Sequence, residues 1–271
     1  MAKSLYPTTL FHFTSQLEIL ISILNSESFK ISFAREFIQG VSSNRDFGIP
    51  MVSFCDIRLT QLNQHTDSYG HYGIGLTKTW ADRNKLNPVI YMNKQSPVFD
   101  YYNNELRELS KERSKAKSTL DNLKRNGSSD KELSSAIISF DKVDKEYRNL
   151  VDPLRYMKNY QGTLRRRQAP EVRNYIFADE REWRFVPDIH QSKGKAYIAS
   201  KDGMRQVNGK ERYNEQYKDV RLGFLMSDIR YIIVRNESDV PRMIDFLSEK
   251  IGDKNTLLTR ILSTELIGND M

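Results

Sequence analysis

The chain has 271 residues, 38% of them hydrophobic, with 42 Lys and Arg against 35 Asp and Glu for a formal charge of +7. That is enough apolar side chain for a core and excludes wholesale disorder, while the positive surplus suits either a polyanionic partner or a solvated basic surface. A single cysteine, Cys55, and four histidines exclude an internal disulfide and a Cys- or His-rich metal centre. The longest apolar run near the N-terminus, Leu17 to Leu24, is broken by Glu18 and Ser22. It is too short to span a bilayer and carries no cleavage pattern, so a soluble, cytoplasmic protein with no membrane contact is expected.

Residues 8–14, TTLFHFT, read as a short buried strand. Ser15 and Glu18 have the spacing of a capping box, and Leu17, Leu20, Ile21 and Leu24 follow at helical intervals. Residues 50–57 read as a strand entered from a Gly48-Ile49-Pro50 turn. Residues 69–84 read as a strand followed by a short helix starting near Thr77, and residues 88–92 as a further strand. From about residue 103 to 151 proline disappears and Lys, Arg, Glu, Asp, Leu and Ser dominate. Asn126-Gly127-Ser128-Ser129 interrupts this stretch, and Ala136, Ile137, Phe140, Val143, Tyr147 and Val151 form a narrow stripe, the pattern of two antiparallel helices. The domain map is therefore 1–102 and 152–271 as one α+β domain, with 103–151 an inserted helical hairpin. Its role is either that of a solvated spacer or that of a recognition or oligomerisation arm. Residues 177–187 read as a strand with Trp183 and Phe185 on one face, Glu182 and Arg184 on the other. Residues 196–200 and 228–234 complete the obvious strands, Asp239 to Ile251 reads as an amphipathic helix, and residues 256–262 as a last strand.

Three segments are polar where packing alone favours apolar residues. Phe11-His12-Phe13-Thr14 puts a histidine inside an apolar strand. Tyr69-Gly70-His71-Tyr72-Gly73-Ile74-Gly75-Leu76 is rich in tyrosine and glycine but matches no phosphate-cradling loop. Glu180-Arg181-Glu182-Trp183-Arg184 alternates acid and base. A buried hydrogen-bonded histidine, glycines that relieve crowding and a surface ion-pair ladder account for each singly.

Taken together, in chain order, these segments resemble the His-Tyr-Glu motifs of the ADP-ribosyltransferase fold, a split β-sheet with one NAD cleft. Phe13 stands where that family often has glycine, and Gly75 where one alignment expects an aromatic, which Tyr72 replaces. More of the chain resembles the AbiGi-type phage abortive-infection proteins: LFHFTS, IPMVSFCDIRL, YGHYGIGLTKTWA, NPVIYM, MKNYQG and ADEREWRFVP. That group is often described as the antitoxin half of a bacterial defence pair.

The resemblance to the transferase fold implies an NAD-dependent mono-ADP-ribosyltransferase with NAD as substrate, no metal, and a protein or RNA acceptor. Glu182 would stabilise the oxocarbenium-like cation formed as nicotinamide leaves, and Glu180 would orient or deprotonate the acceptor. His12, Phe13, Thr14 and Tyr72 would hold the dinucleotide, Tyr72 by stacking on nicotinamide. Arg165-Arg166-Arg167 would meet the pyrophosphate or an acidic target, or form a solvated turn. Cys55, near Ser53, reads as a small core residue. The antitoxin resemblance implies instead a catalytically inactive protein that neutralises a partner toxin through its surface or arm. The two readings stay open here.

Overall fold

The computed structural model describes residues 7–164, 170–192, 194–250 and 255–269. The arginine run Arg165-Arg166-Arg167 lies outside the described residues. The first strands are β1 (Thr9–Thr14), β2 (Ser28–Lys30), β3 (Ser32–Gln39), β4 (Asn44–Cys55), β5 (Tyr72–Thr77), β6 (Asn87–Pro88) and β7 (Ile90–Met92). Then come β8 (Met157–Asn159), β9 (Gln161–Leu164), β10 (Val172–Ile176), β11 (Glu182–Phe185) and β12 (Ala199–Ser200). The last are β13 (Arg221–Gly223), β14 (Ile229–Val234) and β15 (Ile261–Ser263). Among the described residues the principal sheet runs β15-β14-β5-β1-β4-β11-β6, with β3 and β12 flanking the N-terminal half of β4. Its pairings are antiparallel except β14 with β15.

Five helices matter to the site: α1 (Leu17–Ser26), α2 (Leu62–Tyr69), α3 (Lys78–Arg83), α4 (Val98–Arg125) and α5 (Asp130–Leu154). The apolar spacing of α1 buries Leu17, Leu20 and Leu24. Its expected Ser15–Glu18 capping box is absent: Gln16 occupies the cap position without a side-chain bond, and Glu18 pairs with Arg242 instead. The same Ser-x-x-Glu spacing does close at Ser129 and Glu132, which cap α5 reciprocally.

The long β4 is the centre of the sheet. The Gly48-Ile49-Pro50 turn expected there is continuous strand. Paired residues on β3 place the nitrogen of Pro50 on the opposite edge of β4, between the stretches held by β12 (Gly48) and β11 (Val52), where no ladder donor is required. The expected strand 69–76 is also divided, its first residue ending α2, and the expected strand 256–262 starts in a short helix, Asn255–Leu258, and is strand only from Ile261, where β15 begins.

One face of the sheet carries the larger core, with Leu10, Phe29, Phe54, Ile74 and Ile232 packed against Leu20 and Leu24 of α1 and Trp80 of α3. The other face carries Ile38, Phe47 and Ile49 against Phe99, Leu106, Val151 and Leu154. The helical hairpin therefore forms as the sequence suggests, but its base is core. Its helices run past both ends of 103–151, and Phe99, Leu106, Val151 and Leu154 are almost fully buried.

Candidate functional site

The register of three strands decides where the expected site residues go. Phe11 of β1 stands opposite Cys55 of β4, and Cys55 stands opposite Glu182 of β11. Directly opposed residues of an antiparallel ladder share a face, and neighbours along a strand alternate. Glu182, Cys55, Phe11 and Phe13 thus lie on one face of the sheet, and His12, Phe54 and Trp183 on the other.

The side-chain contacts agree. His12 lies edge-on to Phe29, with ring centroids 5.0 Å apart, and 5.5 Å from Phe54, partly buried against the larger core. Its Nδ1–H donates to the Ser53 carbonyl at 2.9 Å. Burial lowers its pKa, against the opposing pull of that carbonyl. Thr14 is on the same face; its hydroxyl accepts from the Gln16 N–H and lies 3.2 Å from the Gln16 carbonyl, fixing the entry to α1. Tyr72, opposite Thr14, packs on that core and donates its hydroxyl to Asp239 at 3.1 Å. Phe13 goes the other way, stacked on Phe11 at 5.9 Å.

The aromatic–glycine strand has a packing cause. A Cβ on Gly73 would lie 2.9 Å from the Phe13 ring, and one on Gly75 2.8 Å from the Phe11 ring. The glycines of β5 make room for two phenylalanines of β1.

The convergence of His12, Tyr72 and Glu182 on one cleft is therefore corrected: a sheet lies between the histidine and the glutamate. Glu180 is corrected too. It ends a short 3-10 turn, Phe177–Glu180, and is not part of the strand, which begins at Glu182 after Arg181 in the left-handed region at φ 44°. On its own face of the sheet His12 packs against Phe29 and Phe54, away from the carboxylate of Glu182.

What Glu182 does join is a buried ion network. Arg184, fully buried, donates from Nε to Glu182 Oε1 at 2.7 Å and from Nη2 to Glu36 Oε1 at 2.6 Å. Its Nη1 donates to the Arg155 carbonyl at 3.1 Å. Lys158 of β8 donates to Glu180 Oε2 at 2.8 Å and Glu182 Oε2 at 2.9 Å. Tyr69 closes the shell by donating to Glu180, and the Tyr91 hydroxyl accepts the Glu182 N–H at 2.9 Å.

Burial alone would push the Glu182 carboxyl up, but Arg184 and Lys158 outweigh it and bring its pKa down to about 2. Glu36 goes up, its burial exceeding the pull of Arg184 and Lys158. Burial also raises Cys55, with Glu180 and Glu182 adding to it; the side chain is partly buried and packs against the cluster of Phe11 and Leu62. Tyr175, desolvated and facing Glu180, is pushed up to about 12. Each carboxylate oxygen of Glu182 is already engaged, so its chemistry here is that of a structural clamp.

In front of this network lies a cleft of about 490 Å³ between β3 and the β9–β10 hairpin, with Glu36, Lys158 and Phe177 at its floor and Arg35, Phe37 and Lys94 among its walls. Sequence reasoning missed it. Lys158 and Glu36 carry no local signal, since only the fold brings β3 and β8 beside β11. Among the described residues no group of three or more His, Cys, Asp or Glu is placed to hold a metal, and no helix is long and apolar enough to cross a membrane.

Residues 28–235 match the family described as "Putative abortive phage resistance protein AbiGi, antitoxin". The match takes in β2 to β14, the ion network and the whole helical hairpin, and leaves out β1 and β15; it puts the chain among the abortive-infection proteins of phage resistance. The chain belongs to the AbiGi family. It is also 25% identical over 246 residues to the abortive phage resistance protein AbiGi of Lactococcus lactis subsp. cremoris, covering 83% of this chain and 90% of that protein. No solved structure matches the chain.

Proposed function

We propose that the chain is the antitoxin of an abortive-infection pair, a protein that neutralises a partner toxin by binding it and performs no NAD chemistry of its own. The observation that carries this reading is the state of Glu182. The glutamate that the transferase resemblance makes catalytic is 5% exposed, held by Arg184 and Lys158, and separated from His12 by the sheet. A carboxylate that must meet a developing oxocarbenium ion needs an open face toward the sugar. The family description, which names an antitoxin, supports the same reading.

The test is expression in bacteria with and without the partner toxin. The antitoxin reading expects normal growth with this chain alone and protection when the toxin is co-expressed. It also expects no nicotinamide release from NAD by the purified chain. Slowed growth with the chain alone, relieved by Glu182→Gln in a protein that still folds, would overturn it in favour of the transferase.

A further inference from the structure

The outer edge of β3 is satisfied at its two ends and open in the middle. In the β3–β4 ladder Phe33, Arg35, Phe37 and Gln39 turn their backbone groups away from β4. The side chains that meet this edge show it: the Phe33 N–H donates to Asn214 Oδ1 at 2.7 Å, and the Gln39 N–H donates to Asn159 Oδ1 at 2.8 Å. Asn159 Nδ2 in turn donates to the Gln39 carbonyl at 2.9 Å, so this asparagine imitates one residue of a neighbouring strand. Between the two asparagines, the backbone N–H and C=O of Arg35 and Phe37 meet no partner strand among the described residues. The open stretch borders the 490 Å³ cleft, and Phe37 is 49% exposed beside it.

We propose that this open edge receives an acidic extended segment of the partner toxin, which pairs with Arg35 and Phe37 as an added strand and directs a carboxylate to Lys94. The proposal rests on the antitoxin reading above. An unpaired edge with exposed main-chain groups is a template for strand addition, and natural proteins cover or charge such edges when they are not used. The two asparagines set the length of the incoming strand by closing the edge on either side of the gap. Charge sets its composition. The charged residues lining the cleft are Arg35, Lys94 and Lys158 against Glu36, and the chain as a whole carries +7. Arg35 is shared with Asp46, and Lys158 with Glu180 and Glu182, so among the described residues that line the cleft Lys94 at the rim is the cation left to meet a carboxylate. Glu36, on the same lining, is taken up by Arg184 at 2.6 Å.

The experiment uses the full chain co-expressed with the toxin against which the wild type protects. Hydrogen exchange on the purified wild-type complex is expected to show the Arg35 and Phe37 amides slowed relative to the chain alone, a readout that requires no variant. Phe37→Pro removes one edge donor at a position where an edge strand tolerates proline, and is expected to weaken the complex roughly 100-fold and abolish protection with the thermal transition retained. Lys94→Glu reverses the rim charge and is expected to weaken binding about tenfold, the loss shrinking in high salt.

Unchanged exchange at residues 35–37 in the complex would overturn the proposal while leaving the antitoxin reading intact. So would full protection by a folded Phe37→Pro. A wild-type chain that dimerises through this edge while toxin binding ignores Phe37→Pro would assign the edge to a second copy and overturn it as well. Failure of the wild type to protect would overturn the functional reading and this proposal with it.

Discussion

The ion network behind β11 and the seam of the helical arm are built from the same side chains and differ in their access to water. Arg184 has no exposed surface and its partners Glu182 and Glu36 almost none. In the arm, Asp144 is shared by Arg113 at 2.5 Å and Arg148 at 2.6 Å, with about a quarter to a third of each arginine exposed. Arg113 lies over Tyr147 and Phe140, so part of its attraction is to ring faces. Farther out, Lys111 and Glu108 pair almost wholly in solvent. The lesson is that the number of ion pairs says little about what holds this protein together. A buried pair is costly to break because one charge is stranded, whereas an exposed pair exchanges its partner for water.

The contrast can be broken first by truncation. Deleting 116–142 and joining the ends with a short Gly/Ser linker removes the outer arm but keeps Leu106, Tyr147, Val151 and Leu154; a cooperative thermal transition is expected to survive. Deleting 105–149 takes Leu106 from the core and is expected to abolish that transition. Equal behaviour of the two deletions would mean that the arm's base is dispensable.

Arg184→Met comes next, expected to lower stability by about 3–5 kcal/mol in urea titrations because Glu182 and Glu36 remain buried without their cation. The Glu182→Gln variant sharpens the electrostatic side through pH. A carboxyl whose folded pKa is lowered stabilises the protein above its unfolded value and loses that contribution as pH falls toward the folded one. With the folded value at about 2, Glu182 contributes about 3 kcal/mol near neutral pH. The stability gap between wild type and Glu182→Gln should therefore narrow steadily as pH drops from about 5 toward 3. A gap independent of pH would show that the carboxylate is not charged in the fold.

Arg113→Ala in the arm should cost only about 1 kcal/mol, the sum of a partly exposed ion pair and its ring contacts. Lys111→Ala should change stability by less than about 0.5 kcal/mol.

Local pattern carried much of the architecture. The helical stripe with its Asn126–Ser129 break, the alternation of Trp183 and Phe185 with Glu182 and Arg184, and the helical spacing of α1 all follow from periodicities that a single segment displays. The β3–β4 hairpin was hidden because Gly48 and Pro50 punctuate it like a turn, and only the gap between β11 and β12 makes the proline harmless. The site was legible in residue types and illegible in arrangement. His12, Tyr72 and Glu182 sit on strands as their sequences indicate, but the face that each presents depends on register across β1, β4 and β11, which no segment encodes alone. Lys158 could have been suspected only by asking which cation would compensate two glutamates in so apolar a neighbourhood.

Arg181 gives the Glu-x-Glu spacing its meaning. On an unbroken strand, carboxylates two residues apart stand side by side like rungs and can serve two different ligands. The left-handed backbone at Arg181, with φ 44° and ψ 50°, turns the chain through a corner instead, and both carboxylates close on the single ammonium of Lys158 like the arms of a chelate. Glycine at 181 would hold this corner with less strain and a β-branched residue would oppose it. The same Glu-x-Glu spacing with valine or isoleucine at the middle position would then denote a straight strand with two separate acids, so the identity of the spacer distinguishes a clamp from a ladder.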